Sequence, residues 1–290
     1  MTVTRKSGCK INLILNILGK RADGFHELET LMLPVPIHDL LTFSTTGNSI
    51  ELTCNKPDLP TGADNLIWSA ANAFFKNTNI ESGVSIHLEK NIPTAAGLGG
   101  GSGNAANTLL ALNELFDSPL SFSQMSGICS KLGSDIPFFL QDKPALAFGR
   151  GETIEPLETA TLLSGKWLLL VNPGFGISTP WAYQNLARFP DHLNGQPERA
   201  RRLANQLESA RTPLAELDLY NSLEAPALDK YPILSILQES LLRHHAVVAM
   251  MSGSGATTFG IFNNEAHVAS AKEAIHSEFG DSFWTAVSAL

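Results

Sequence analysis

Residues 93–106 read PTAAGLGGGSGNAA, a glycine cluster that runs straight into a helix of small residues. Glycines at Gly97, Gly99, Gly100, Gly101 and Gly103 permit positive φ and close backbone approach, so several N–H groups can converge on one anion. The helix that follows adds unpaired N–H groups and the positive end of its dipole. The stretch therefore reads as a cradle for nucleotide phosphates, with an ordinary glycine-rich loop as the plain alternative. Its spacing excludes the commoner cradles. A dinucleotide fingerprint needs glycines at i, i+2 and i+5, which no choice among these positions supplies. A Walker A loop ends in Gly-Lys-Ser or Gly-Lys-Thr, whereas this one ends GSGNAA. The HRD and DFG elements of protein kinases are missing as well. What is left is a loop that holds phosphates with main-chain groups and a helix dipole.

A chain of 290 residues with 43% hydrophobic content can fill one large domain or two moderate ones. Two are expected, residues 1–158 and 159–290, because the polar run GETIEPLETATLLSGK gives way to the apolar KWLLLVNPGF near that boundary. The net charge of -8, with 17% charged residues and no basic run, excludes a surface that tracks nucleic-acid phosphates. Cys9, Cys54 and Cys129 are scattered without CxxC spacing, which argues against a disulfide framework or zinc site and for a reducing, cytoplasmic compartment. No window approaches the ~20 apolar residues of a membrane span. The short polar lead MTVTRKSG leaves no room for a signal peptide.

Between residues 9 and 18, CKINLILNIL alternates as a strand, with Ile11, Leu13 and Leu15 on one face and Lys10 and Asn12 on the other. Further strands are expected at 40–44, 49–54 and 84–88. Helices are expected at 63–75, 102–116 and 122–132, the last stopped by Gly133. The second half reads as a helix-rich stretch over 181–211, a helix over 233–243, AVVAM, the turn SGSGA, the strand TTFGIF, a helix over 265–279 and a short final strand. Strands and helices do not alternate regularly, so the expected class is α+β rather than a doubly wound sheet.

Together these residues resemble the GHMP kinases. The matching segments are KINLILNILGKRADGFHELET at 10–30, DNLI at 64–67, the loop itself, LGSDIPFF at 132–139, ISTP at 177–180 and MSGSGATTFGIF at 251–262, in order over nearly the whole chain. GKRADGFHELET is similar to the branch of that family whose acceptor bears a cytidylyl group. The resemblance implies a two-domain α+β fold, an N-terminal mixed-sheet domain with helices and a C-terminal ferredoxin-like domain, with the active site in the cleft between them. It implies that ATP gives its γ-phosphoryl group to a hydroxyl of a small acceptor. The implied partners are those two small molecules, without nucleic acid or membrane, and oligomeric state stays open.

Phosphoryl transfer needs positioning, charge neutralisation and a group to accept the hydroxyl proton. By resemblance Asp135, in G-S-D-I-P, is the catalytic base and Lys10 its cationic partner. Alone, that Asp reads first as a cap of the next helix and Lys10 as a surface lysine. The implied ATP contacts are Asn65 and the run Pro93, Thr94, Ala95, Ala96, Gly97, Leu98, Gly99, Gly100, Gly101, Ser102 and Gly103. A cytosine ring stacks and needs paired donors and acceptors at its edge. Phe25 and Tyr183 are the implied sandwich, His26 the reader of the edge, and Asn12 and Thr179 neighbours of the acceptor's diphosphate end. Family members often carry Tyr at position 25, so Phe25 keeps the stacking face and loses a hydroxyl.

One departure concerns the metal. Family loops commonly carry two serines after the last glycine, and here Ser102 is followed by Gly103. Mg²⁺ is therefore expected on ATP phosphates and water, with Ser102 the remaining hydroxyl, and no protein ligand can be named. Ala96, often glycine, is a mild change if φ there is negative. SGSGA reads as supporting architecture first and a phosphate contact second. Two other readings stay open: a GHMP kinase acting on mevalonate, homoserine or a sugar, and a regulatory module that holds ATP without transferring phosphate.

Overall fold

The computed structural model describes residues 2–290. In chain order the strands are β1 (Thr2–Lys20), β2 (His26–Thr46), β3 (Ile50–Cys54), β4 (Gly83–Glu89), β5 (Ala145–Gly149) and β6 (Thr153–Pro156). They continue as β7 (Trp167–Asn172), β8 (Tyr220–Asn221), β9 (Val248–Met251), β10 (Thr258–Phe262) and β11 (Trp284–Ala289). The helices are α1 (Leu66–Thr78), α2 (Gly100–Leu115), α3 (Phe122–Leu132), α4 (Thr179–Leu186) and α5 (Pro190–Leu193). After them come α6 (Arg199–Ser209), α7 (Glu224–Lys230), α8 (Ile233–Arg243) and α9 (Glu265–Phe279). The chain forms two compact units, one of Met1–Cys9, Pro36–Ile92 and Gly99–Asp142, the other of Lys10–Val35, Pro93–Leu98 and Lys143–Leu290. The boundary expected near residue 158 lies inside the second unit, which the chain enters three times.

In the first unit, β3 runs parallel to β4, and β4 antiparallel to the end of β2, with Ile86 opposite both Leu52 and Phe43. The alternation read in V-S-I-H-L is real: Val84, Ile86 and Leu88 are buried while His87 is exposed. Helix α1 starts three residues later than expected because Asn65 caps it, its Oδ1 accepting from the Ile67 N–H at 2.9 Å. It packs on α2, whose Ala105, Ala106, Leu109 and Leu112 are all fully buried. Ser121 and Gln124 cap α3 reciprocally, a Ser-x-x-Gln box.

In the second unit β5 pairs with β2 and with β6, and β8 runs parallel to β1 at Ile14 and Leu15. The C-terminal part is a β-α-β-β-α-β arrangement of β7, α8, β9, β10, α9 and β11. Its antiparallel sheet has the order β11-β7-β10-β9, the ferredoxin-like order. Leu169 and Val171 of β7, Leu237 and Leu241 of α8 and Ile275 of α9 share one apolar core. The α+β expectation holds.

Candidate active site

Alternation along β1 brings the Lys10 and Asn12 side chains to one face, and both are almost fully buried, at 3% and 2% exposure. A buried ammonium must be hydrogen-bonded. Lys10 Nζ donates to Asn12 Oδ1 at 2.6 Å and to the Gly97 carbonyl at 3.2 Å. Asn12 is held in turn, its Nδ2 donating to Thr30 Oγ1 at 2.9 Å while that hydroxyl donates to the Ile14 carbonyl at 2.5 Å. This chain of bonds orients the Asn12 amide so that its oxygen faces the lysine. The backbone adds a link, as Lys10 N–H donates to the Leu98 carbonyl at 2.9 Å.

Two of the loop glycines are required by their conformation: Gly97 and Gly99 have φ of +76° and +68°. At Gly97 a Cβ would also lie 2.0 Å from the Ser252 carbonyl oxygen, so no other residue fits. The Gly97 carbonyl accepts from Ser252 Oγ at 3.0 Å, which places the SGSGA turn against the loop. Ala96 lies outside the positive-φ residues and is buried, so alanine is tolerated there, as expected for a negative φ.

In the first unit, α2 opens at Gly99 with no side-chain cap, leaving the first-turn N–H groups without side-chain partners. Beneath this end lies a pair that sequence reading missed. Lys90 Nζ donates to Asp39 Oδ2 at 2.5 Å, and a Cβ on Gly100 would stand 3.2 Å from that nitrogen. Asp39 is completely buried and accepts three further bonds, from Asn104 Nδ2 at 2.9 Å and from the Asn91 and Ile92 N–H groups at 2.8 Å each. A charged residue in the apolar stretch of IHDLLTF was the available signal.

Gly103 has a packing reason. A Cβ there would come 2.7 Å from the Gly8 carbonyl oxygen and 3.1 Å from Ser7 Oγ, so the second serine common in family loops has no space. Gly103→Ser is therefore expected to lower stability by about 1–3 kcal/mol through overpacking and to leave kcat no higher. Paired thermal melts and kinetics check this; an unchanged melt would mean that β1 yields freely. Among the described residues no group of three or more His, Cys, Asp or Glu side chains could hold a metal ion. Ser102, half-buried in the first turn of α2, is the loop hydroxyl nearest that role in sequence.

The other expected residues are placed as follows. Asp135 is half-buried in the turn after α3, and the short helix Pro137–Leu140 takes Ile136 as its cap residue, so Asp135 is not that cap. Asn65 spends its side chain on the α1 cap and on the Pro60 carbonyl, 2.8 Å away. His26 and Tyr183 come together, ring centroids 5.1 Å apart and tilted by 31°. Burial, with Lys20 nearby, holds the His26 imidazole below its ordinary pKa, so it is neutral at pH 7 and offers one donor and one acceptor. Phe25 is 53% exposed and lies under the Arg150 guanidinium, 4.8 Å from the ring centroid. Thr179 Oγ1 and Ser254 Oγ are 2.9 Å apart.

The SGSGA turn is itself held by residues without a motif. Asn221 Nδ2 donates to the Met251 and Gly253 carbonyls at 2.9 and 2.8 Å, and Glu224 Oε1 accepts from Met251 N–H at 2.6 Å. Burial pushes the Glu224 carboxyl up to about 7, against the bonds from Met251 and Gln238 that favour its anion. The folded chain thus holds this proton more tightly than the unfolded chain, and stability falls as pH rises from about 4.5 to about 7. Glu224→Gln is expected to raise the thermal melt at pH 8 relative to the parent, with little gain at pH 5. A difference independent of pH would overturn the assignment.

With this geometry in place, likeness to known proteins is informative. Residues 65–143 match the GHMP kinases N terminal domain and residues 192–281 the GHMP kinases C terminal domain. A 4-diphosphocytidyl-2-C-methyl-D-erythritol kinase of Geobacter metallireducens is 37% identical over 290 residues, covering 100% of this chain and 99% of that protein. One from Citrifermentans bemidjiense is 40% identical over 258 residues, 88% of each. A crystal structure of 4-(cytidine 5'-diphospho)-2C-methyl-D-erythritol kinase aligns at TM-score 0.78 and 30% identity over 98% of both chains. Homoserine kinase from Cytophaga hutchinsonii aligns at TM-score 0.75 with 13% identity, over 99% of this chain and 93% of that one, a likeness of fold alone.

Proposed function

Because the chain belongs to the GHMP kinases, and among them to the 4-diphosphocytidyl-2-C-methyl-D-erythritol kinases, we propose a residue-level account of its phosphoryl transfer. The enzyme is an ATP-dependent small-molecule kinase of isoprenoid precursor biosynthesis. It phosphorylates the 2-hydroxyl of 4-diphosphocytidyl-2-C-methyl-D-erythritol and leaves ADP.

Asp135 accepts the proton of that hydroxyl as its oxygen bonds to phosphorus and the bond to the ADP oxygen breaks. Lys10 supplies the positive charge that the loop lacks and faces the phosphoryl group. The observation that carries this reading is the buried Lys10 ammonium, bonded to Asn12 and to Gly97 of the loop itself. The loop residues 93–103, with Asn65 at the start of α1, hold ATP through main-chain N–H groups and the α2 dipole. Magnesium neutralises phosphate charge when bound, and the chemistry of the available side chains fits an ion carried on ATP phosphates and water, with Ser102 the hydroxyl in the loop.

Phe25 and Tyr183 stack on cytosine, neutral His26 pairs with its edge, and Asn12 and Thr179 lie toward the diphosphate end. Tyr183→Ala is then expected to raise the KM for the cytidylyl acceptor about tenfold or more, since base stacking on an aromatic ring contributes about 1–3 kcal/mol. The KM for ATP should stay within about twofold. An unchanged acceptor KM would remove Tyr183 from the clamp. Three cysteines outside any disulfide and the net charge of -8 support a cytoplasmic enzyme without nucleic-acid or membrane partners.

A coupled ADP-release assay tests the whole reading. ADP should form with the cytidylyl acceptor and not with mevalonate, homoserine or a sugar. Turnover only with one of those would indicate another GHMP activity, and ATP binding without turnover a regulatory module.

A further inference from the structure

The segment Tyr220–Glu224 joins two parts of the second unit, the strand β1 and the SGSGA turn, as a second link beside the loop at residues 96–98. On one side it is bound to the strand that carries Lys10 and Asn12. Tyr220 and Asn221 pair in parallel with Ile14 and Leu15 of β1. Ser222 N–H donates to the Leu15 carbonyl at 2.8 Å, and Ile17 N–H donates to Ser222 Oγ at 3.0 Å. On the other side its polar side chains grip the SGSGA turn. The Asn221 amide is 1% exposed and fully occupied, with two bonds donated to the Met251 and Gly253 carbonyls and one accepted from Leu223 N–H at 2.9 Å.

The turn needs this grip because its backbone leaves the sheet. Gly253 and Gly255 adopt φ of +55° and +85°, and Gly253 lies outside the ladder that pairs β9 with β10. Buried carbonyls outside a ladder must find partners elsewhere. Asn221 supplies one for Gly253 and also takes the Met251 carbonyl at the end of the edge strand β9, and the position gained is a close one. A Cβ on Gly253 would stand 2.8 Å from the Gly97 oxygen, 3.2 Å from Lys10 Nζ and 3.3 Å from Asn12 Oδ1. The Gly97 oxygen is thus shared between Ser252 Oγ of the turn and the Lys10 ammonium.

We propose that Asn221 is a positioning residue for phosphoryl transfer. It fixes the 251–255 turn relative to β1, so that Ser252 holds the Gly97 carbonyl where the Lys10 ammonium meets it. The inference rests on the reading of Lys10 as catalytic and extends it to a residue that touches no substrate. Its energetic logic is that a displacement of about 1 Å at a reacting group suffices for a roughly 100-fold loss of rate.

The test uses the full-length enzyme and the variants Asn221→Ala, Ser252→Ala and their combination, assayed well below each melting temperature. Asn221→Ala is expected to lower kcat about 10- to 100-fold with the acceptor KM within about threefold. Because both side chains act through one turn, the double variant should lose no more than about threefold beyond the worse single variant. If Asn221→Ala does not fold, Asn221→Ser, which keeps one donor, reads the same split. A parental kcat beside a lowered melt would reduce Asn221 to structure, and fully multiplicative losses would break its link to Ser252. Lys10→Ala separates the premise: parental kcat in that variant would overturn the Lys10 reading alone, while coupling between Asn221 and Ser252 would still be read from their own cycle.

Discussion

Asp135→Asn is expected to lower kcat about 10²- to 10⁴-fold, the usual contribution of a positioned general base. The substitution keeps shape but removes the negative charge and with it the capacity to take a proton, so the loss should appear in kcat with the substrates still bound. Asp135 sits half-buried in a turn, and the cap position of the short helix that follows belongs to Ile136. The loss is therefore not a cap's loss. A folded variant that kept more than about a tenth of the parental kcat would remove Asp135 from the role of base, because the lowest expected contribution is about a hundredfold.

The second large effect is on stability. Asp39→Ala leaves the Lys90 ammonium, only 6% exposed, without its carboxylate and takes the acceptor from Asn104, Asn91 and Ile92 as well. Breaking a buried pair in this way costs about 3–5 kcal/mol. For a chain of this size the thermal melt should fall by on the order of 10 °C. Replacing both partners by apolar residues of similar volume removes the stranded charge but still leaves the Asn91 and Ile92 N–H groups and Asn104 without their acceptor, so it should recover only part of that loss. A fall of under about 1 kcal/mol in Asp39→Ala would mean that Lys90 finds water or another acceptor. The variant bears on function too, because Lys90 Nζ lies under Gly100 at the start of α2. A weaker hold on ATP should accompany the lower melt.

The elements that sequence reading placed well are those with one wet face. Helices α3, α8 and α9 have the expected bounds, and β4 shows its alternation, because each presents a polar side to solvent. The long strands were only partly legible. From Ile11 to Ile17 every residue of β1 is buried, so nothing in that stretch marks how far the strand runs on either side, and Pro34 and Pro36 disguise the middle of β2 as a break. The eleventh-hour pairing of β8, two residues long, has no local signature at all.

Within the candidate site the same distinction holds. The glycine loop is legible because its chemistry is local, and the meeting of Lys10 with Asn12 follows from a strand's period of two. Asn221, Glu224 and the pair of Asp39 with Lys90 act across long sequence separations, where no spacing rule reaches. The stacking of Arg150 on Phe25 belongs to the same class.

The contact between Gly103 and the Gly8 carbonyl also constrains how this sequence can change. A side chain at 103 meets the Gly8 main-chain oxygen first, at 2.7 Å, ahead of the Ser7 and Phe139 side chains, and that obstacle cannot be relieved by any rotamer. Residue 8 is already glycine, so no substitution at 8 can thin this obstacle. A second hydroxyl can enter the loop only after changes among the residues packed on β1 have let its backbone draw back, which ties position 103 to the packing of that strand and not to any one partner residue.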